Sequence, residues 1–232
     1  TSANASGSYV VTAAELGLVS GATYFPTVQC VNGAGLGGYN GSAAGVGVDL
    51  ISPFMGRVLD GNATLVDLAF ASSTTSASVS FPDVVDLHTA LRNCSVGFGY
   101  NNSGADVGLT GVSGGWVAVP RGQTTASASG LAIAPGRRLF ANVRCEDLAG
   151  NAATAASSGI VVDVTPPVMA APILTGLLQA IDPVSGAVNL TSPSAPFTAS
   201  LSQLGVRFAG IADPESGVAY FHVAISTSAS AA

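Results

Sequence analysis

The sequence predicts an all-β chain built from antiparallel β-sandwiches in series. Three observations carry that expectation. Short runs of β-branched and aromatic residues alternate with Gly-, Pro-, Asn- and Ser-containing turns. No stretch holds the apolar spacing of an amphipathic helix. A segment also recurs: Leu16 to Gly35 (LGLVSGATYFPTVQCVNGAG) is matched by Leu131 to Gly150 (LAIAPGRRLFANVRCEDLAG) at an offset of 115 residues, with Gly21 on Gly136, Val28 on Val143 and Cys30 on Cys145. A recurrence of that length fits one sandwich of roughly 100 residues.

The ends of the units are marked by a second device. Gly159 to Pro167 reads GIVVDVTPP. Ile160, Val161 and Val162 favour a strand, and Pro166 and Pro167, which lack an N–H and fix φ, stop it and stiffen the exit. Gly45 to Pro53 (GVGVDLISP) is the same exit at an offset of 114, with Asp49 on Asp163 and Pro53 on Pro167. Phe81 and Asp86 match Phe208 and Asp213 at 127. The added length falls between Leu177 and Phe197, a Pro/Ser/Gly-rich insert that reads as a loop. The phase predicts that residues 1–50 carry the last strands of one unit, 51–165 a complete unit and 166–232 the opening strands of a third. The chain would then be a segment of a larger protein.

Within 51–165 the expected strands follow in order. Arg57–Leu59 opens the unit, Ser76–Phe81 follows, then Leu91–Tyr100 and Gly115–Val119. Ala126–Ile133 leads into the turn Ala134-Pro135-Gly136, Leu139–Cys145 alternates with period two, and Gly159–Val164 closes. Seven strands without a helix argue an antiparallel sandwich.

Composition bounds the function. Charged residues make up 9% of the chain, against about 25% in an ordinary domain, so the surface needs another source of polarity. The net charge of −6 leaves no basic stripe, which argues against nucleic acid. No apolar run reaches the roughly 18 residues that span a bilayer. Six Asn-X-Ser/Thr sequons are present, at Asn4, Asn40, Asn62, Asn93, Asn101 and Asn189. N-linked glycans on them would supply the missing polarity and place the chain outside the cell; Ser/Thr bias is the plainer alternative.

The run Leu18, Gly21, Tyr24, Val28, Cys30 resembles strands E and F of fibronectin type III-like and related immunoglobulin-like domains, with Tyr24 in the tyrosine-corner place and Leu139 at the equivalent position of the second copy. Asp147-Leu-Ala-Gly-Asn151 followed by Val162-Asp-Val-Thr-Pro-Pro167, and Asp213-Pro-Glu-Ser-Gly-Val218 before an aromatic strand, are similar to tandem immunoglobulin-like repeats of large extracellular glycoproteins of algae and protists, including those of mastigonemes, the hair-like filaments on cilia. The resemblance implies residues 1–50 as the C-terminal part of a truncated immunoglobulin-like domain, 51–165 as a complete one and 166–232 as the N-terminal part of a third. In this fold the strands carrying Cys94 and Cys145 are neighbours in one sheet, so a Cys94–Cys145 bridge is expected; three free thiols are the alternative. Cys30 would find its partner upstream.

Other motifs carry less. Gly33 to Gly38 fits GxGxxG, but Tyr39-Asn40-Gly41-Ser42 offers no helix to face a pyrophosphate. His88 and His222 are the only histidines and sit in no zinc spacing; no nucleophile elbow is present. Asp147, Asp163, Asp213 and Glu215 fall near the expected junctions, where carboxylates can hold calcium or simply cap turns. No catalytic, cofactor-binding or metal residue is therefore assigned. The expectation is a non-enzymatic structural segment of a secreted, N-glycosylated repeat protein forming a filament or coat on a cell or cilium surface. Its partners would be neighbouring copies or other matrix glycoproteins. The alternative is an adhesion or carbohydrate-binding module using Trp116 and Tyr100.

Overall fold

The computed structural model describes residues 12–108, 115–170, 174–176, 178–181, 188–190 and 205–227, with side chains up to 170 and from 208. Every regular element among them is a strand, nearly all in antiparallel pairs, and no helix is long and apolar enough to cross a membrane. The chain divides into two compact units. One comprises the residues up to Ala69, Thr75–Ile133 and Arg138–Ile160; the other comprises Phe70–Thr74, Ala134–Arg137 and the residues from Val161 onward.

The first unit holds two main sheets. In one, the strands Trp116–Val119, Leu91–Gly99, Arg138–Asp147 and Ala152–Ala156 lie side by side in that order. In the other the order is Thr125–Ser129, Ser76–Ser80, Leu59–Asp60. Side chains alternate across a strand, so Val96 and Phe98, with Ala141, Val143 and Cys145 beside them, turn one way and are buried. Val79 and Phe81 contribute from the second sheet. The core is aliphatic, as the low aromatic content requires, with Phe81 and Phe98 as its largest side chains.

Cys94 stands directly opposite Cys145 in this register, and the two form a disulfide. The pairing slips at Arg92, between Leu91 and Asn93; the side chain of Arg92 reaches Glu146 Oε1 at 2.8 Å and the Leu148 carbonyl at 3.1 Å. Gly159 holds φ at +85°, and a Cβ there would sit 2.8 Å from both Arg138 and the Phe140 ring. Only glycine meets both constraints.

A smaller hairpin repeats part of this arrangement. Thr27–Val31 pairs with Gly37–Gly41 so that Cys30 faces Gly38 and Val28 faces Asn40. Adding 115 to each number gives the observed Cys145–Ala153 and Val143–Ala155 pairs. The irregular bonds repeat as well: Asn32 N to Leu36 O becomes Asp147 N to Asn151 O, and Ser42 N to Pro26 O becomes Ser157 N to Ala141 O. Phe54–Met55 on Val84–Val85 is matched, in the second unit, by Val168–Met169 on Ile211–Ala212.

Several expected strands are redrawn. The strand placed at Ala126–Ile133 is Thr125–Ser129; it stops at Gly130, which has φ +73°. The Leu177–Phe197 loop contains a paired stretch, Leu178–Ile181 on Val188–Leu190, because the apolar runs flanking its Pro/Ser/Gly centre hydrogen-bond to each other. Ala152–Ala156 and a short parallel pair, Val161–Val162 on Phe70–Ala71, are additional.

The bridge closes a loop across a sequence separation of 51 residues. The chain-entropy model gives such a cross-link about 4 kcal/mol. Denaturant unfolding of Cys94→Ser/Cys145→Ser should show a loss of that order, whereas Cys30→Ser, at an exposed free thiol, should leave the midpoint unchanged.

Candidate functional site

Acidic side chains gather at two places, each within one unit. In the first unit the sheet ends bring together Asp49, Asp86 and Asp147, with one carboxylate oxygen of each lying within 4.8 Å of the others. Asp49 follows the Val46–Gly47 strand and is buried. Its Oδ1 accepts the Ile51 N–H at 3.0 Å and its Oδ2 lies 2.9 Å from Thr89 Oγ1. Asp86 opens a turn: its Oδ1 accepts the N–H groups of His88 and Thr89 at 3.1 and 2.6 Å. Thr89 Oγ1 is also 3.1 Å from that oxygen, so one hydroxyl proton is contested by two carboxylates. Asp86 Oδ2 is shielded from solvent and accepts no hydrogen bond.

Asp147 is fully buried and organises the turn after its strand. Its Oδ1 accepts the N–H groups of Gly150 and Asn151 at 2.7 and 2.9 Å, and its Oδ2 accepts Asn151 Nδ2 at 2.8 Å. Burial pushes this carboxyl up, but the Asn151 side chain and the turn N–H groups outweigh it and hold it below the usual range. Asp49 is also held low, first by the Ile51 N–H. Both are therefore carboxylates at neutral pH. Two arginine–carboxylate pairs use Asp83 and Glu146.

The second unit carries Asp163, Asp213 and Glu215, all half-buried, with carboxylate oxygens again within 4.8 Å. Asp163 Oδ1 accepts the Thr165 N–H at 2.9 Å, and Thr165 Oγ1 donates to Glu215. Asp213 Oδ1 accepts the N–H groups of Glu215 and Ser216 at 3.1 and 2.7 Å. The Ser216 side chain and the Thr165 N–H lower Asp163. The backbone N–H bonds to Asp163 and Asp213 are those to Asp49 and Asp86 shifted by 114 and 127 residues, with Glu215 where His88 stands and Ser216 where Thr89 stands; the Thr165–Glu215 bond has no counterpart, because Ile51 stands in the place of Thr165. The sequence placed Asp147 with Asp163, Asp213 and Glu215. Within the first unit Asp147 meets Asp49 and Asp86, and within the second Asp163, Asp213 and Glu215 meet one another. The signal that would have found the first two partners was the alignment of Asp49 on Asp163 and Asp86 on Asp213.

Ser20, His88 and Asp49 meet, yet not as a proton relay. Ser20 Oγ at 3.1 Å and Asp49 Oδ1 at 3.4 Å both address Nδ1 of His88, whereas a relay divides serine and carboxylate between the two ring nitrogens. The glycine-rich run at 33–38 is the turn and opening of the Gly37–Gly41 strand, with Asn32 Oδ1 capping Ala34 and Leu36 N–H; no helix follows. Trp116 and Tyr100 are each half-buried. Asn40, Asn62, Asn93 and Asn101 are exposed. Asn4 lies outside the described residues, and Asn189 is described only as part of a strand. Comparison of the chain with protein-family models, curated proteins and solved structures gives no match.

A further carboxyl stands apart. Asp60 is buried and binds the connector after Ala156: Ser157 Oγ donates to its Oδ1 at 2.8 Å and Gly159 N–H to its Oδ2 at 2.9 Å. Burial nevertheless pushes its pKa up to about 6 from 3.8. A raised carboxyl favours the folded state while protonated, so its contribution is full below the unfolded value and is lost as pH rises through the folded one. Stability measured by urea unfolding should therefore fall between about pH 4 and pH 6 on this account. Asp60→Asn should flatten that segment of the profile; an unaltered slope would assign it to other groups.

Proposed function

We propose that this chain is a structural segment of a secreted, N-glycosylated array of immunoglobulin-like and fibronectin type III-like β-sandwiches, which builds a mastigoneme-like filament or a coat on a cell or cilium surface. The observation that carries the reading is the recurrence of one hairpin in the same register 115 residues on, with its turn bonds and its following Asp-containing exit. Repeat arrays of this kind present an extended surface along one axis. On this reading the boundaries fall at 50/51 and 165/166.

Two further observations support it. Tyr24 Oη accepts the Val19 N–H, five residues upstream, at 2.8 Å, the bond expected of a tyrosine corner; at the equivalent position Leu139 is buried instead. The four described sequon asparagines are all open to a glycosyltransferase, and glycans there would solvate a surface with few charges. Neighbouring copies and other matrix glycoproteins are the proposed partners, joined along the exposed strand edges left free of sugar.

The chain secreted from a eukaryotic host should lose mass on treatment with a peptide:N-glycosidase, and Asn40→Gln, Asn62→Gln, Asn93→Gln and Asn101→Gln should each remove one step. Electron microscopy of the parent assembly should show rods with a repeat set by one sandwich. An unglycosylated product together with a compact, unrepeated particle would overturn the proposal.

A further inference from the structure

We propose that copies of this chain join head to tail: the segment Val218–Ile225 of one copy adds as a strand to the free edge of Thr27–Val31 in the next. The inference rests on the repeat reading above, but on neither its sugars nor its parent filament.

The repeat itself shows what covers that edge. Thr27–Val31 corresponds to residues 142–146 of the Arg138–Asp147 strand, which holds Ala152–Ala156 on one side and Leu91–Gly99 on the other. Thr27–Val31 has the counterpart of the first, Gly37–Gly41, and among the described residues no strand on its other side. Exposure follows: Val143 and Cys145 are fully buried, whereas Val28 is 63% exposed and Cys30 is open. The edge is also fit to pair. Ser42 N–H donates to the Pro26 carbonyl, so Pro26 turns its backbone toward the hairpin. By alternation along the strand, Thr27, Gln29 and Val31 turn theirs outward, and the N–H that proline lacks leaves no gap in the free edge.

The chain carries a counterpart of the missing strand. At the offset of 127 that sets Phe81 on Phe208 and Asp86 on Asp213, residues 91–98 fall on Val218–Ile225 (VAYFHVAI), with Phe221 for Cys94, Val223 for Val96 and Ile225 for Phe98. Cys94, Val96 and Phe98 are buried; Phe221, Val223 and Ile225 are each more than half exposed, and Val218–Ile225 joins no sheet among the described residues. Carrying the observed register across sets Phe221 against Cys30 and Val223 against Val28. An added strand gains main-chain hydrogen bonds along the edge, and alternate side chains fix its register. Neither strand contains Asp, Glu, Lys or Arg, so the pairing desolvates no fixed charge. Asn40, level with Val28 in the hairpin, stands where Ala155 is half-exposed, at the rim of the covered face. Donor and acceptor are different surfaces of the chain, so the contact is heterologous and can propagate from copy to copy.

Sedimentation velocity over a range of concentrations tests this on chain made in a bacterial periplasm, hence without N-glycans. The mean mass should rise with concentration past that of a dimer. Val28→Asp and Val223→Asp, both at exposed positions, should each give monomers that melt at the parent temperature. Mixed in equal amounts they should form a dimer and nothing larger, because one intact acceptor and one intact donor remain. Phe221→Cys, oxidised with glutathione disulfide, should yield a ladder of covalent multimers on a non-reducing gel, abolished by Cys30→Ser. Tyr220→Cys, one residue out of phase, should yield none. A chain that stays monomeric at every concentration, or a dimer that Val28→Asp abolishes and Val223→Asp spares, would overturn the proposal even if the parent protein is a glycosylated fibre. Assembly that follows the two variants would uphold it even if the parent carries no sugar.

Discussion

The pairing of Leu91–Gly99 with Arg138–Asp147 is the constraint on which the first unit depends. Its register sets Cys94 against Cys145, Val96 against Val143 and Phe98 against Ala141, so one alignment fixes the covalent link and much of the core together. A slip by one residue would turn every one of these side chains to the opposite face. The neighbouring strands Trp116–Val119 and Ala152–Ala156 take their positions from this pair. The turn at Asp147 then brings Leu148 N–H to the Ala90 carbonyl at 3.0 Å. The carboxylate cluster is assembled at that end, so its geometry follows from the same register.

How much of this was legible depended on whether side-chain pattern or chain closure set the element. Leu139–Cys145 announced itself by alternation, and the strand runs slightly further at each end, Arg138–Asp147. Ala152–Ala156 reads AATAA and has neither alternation nor β-branched weight beyond one threonine. It becomes a strand because the Asp147–Asn151 turn folds it back onto a partner. The paired stretch at 178–190 was hidden for a different reason: proline and glycine in its centre signal a loop, and only the backbone bonds of its arms reveal pairing.

The candidate site was legible in half. Its turn chemistry could be read from Asp147-Leu-Ala-Gly-Asn151, but Asp49 and Asp86 are separated by 37 residues, and proximity of that kind comes from strand order rather than local pattern. The scarcity of basic residues, seven arginines and no lysine, takes on a local meaning here. The arginines seen in ion pairs serve Asp83 and Glu146, and the clustered carboxylates rely on N–H groups and hydroxyls. Backbone donors can hold a carboxylate ionised, but they carry no net charge, so they leave the charge on Asp49 and Asp147 uncompensated.

The free thiol of Cys30 has a practical corollary. With Cys94 and Cys145 joined to each other, the oxidised chain offers a single exposed sulfhydryl, on a strand rather than on a loose tip. A maleimide dye, spin label or bead tether would attach there at one position per molecule, giving a fixed reporter on the hairpin without any engineered residue.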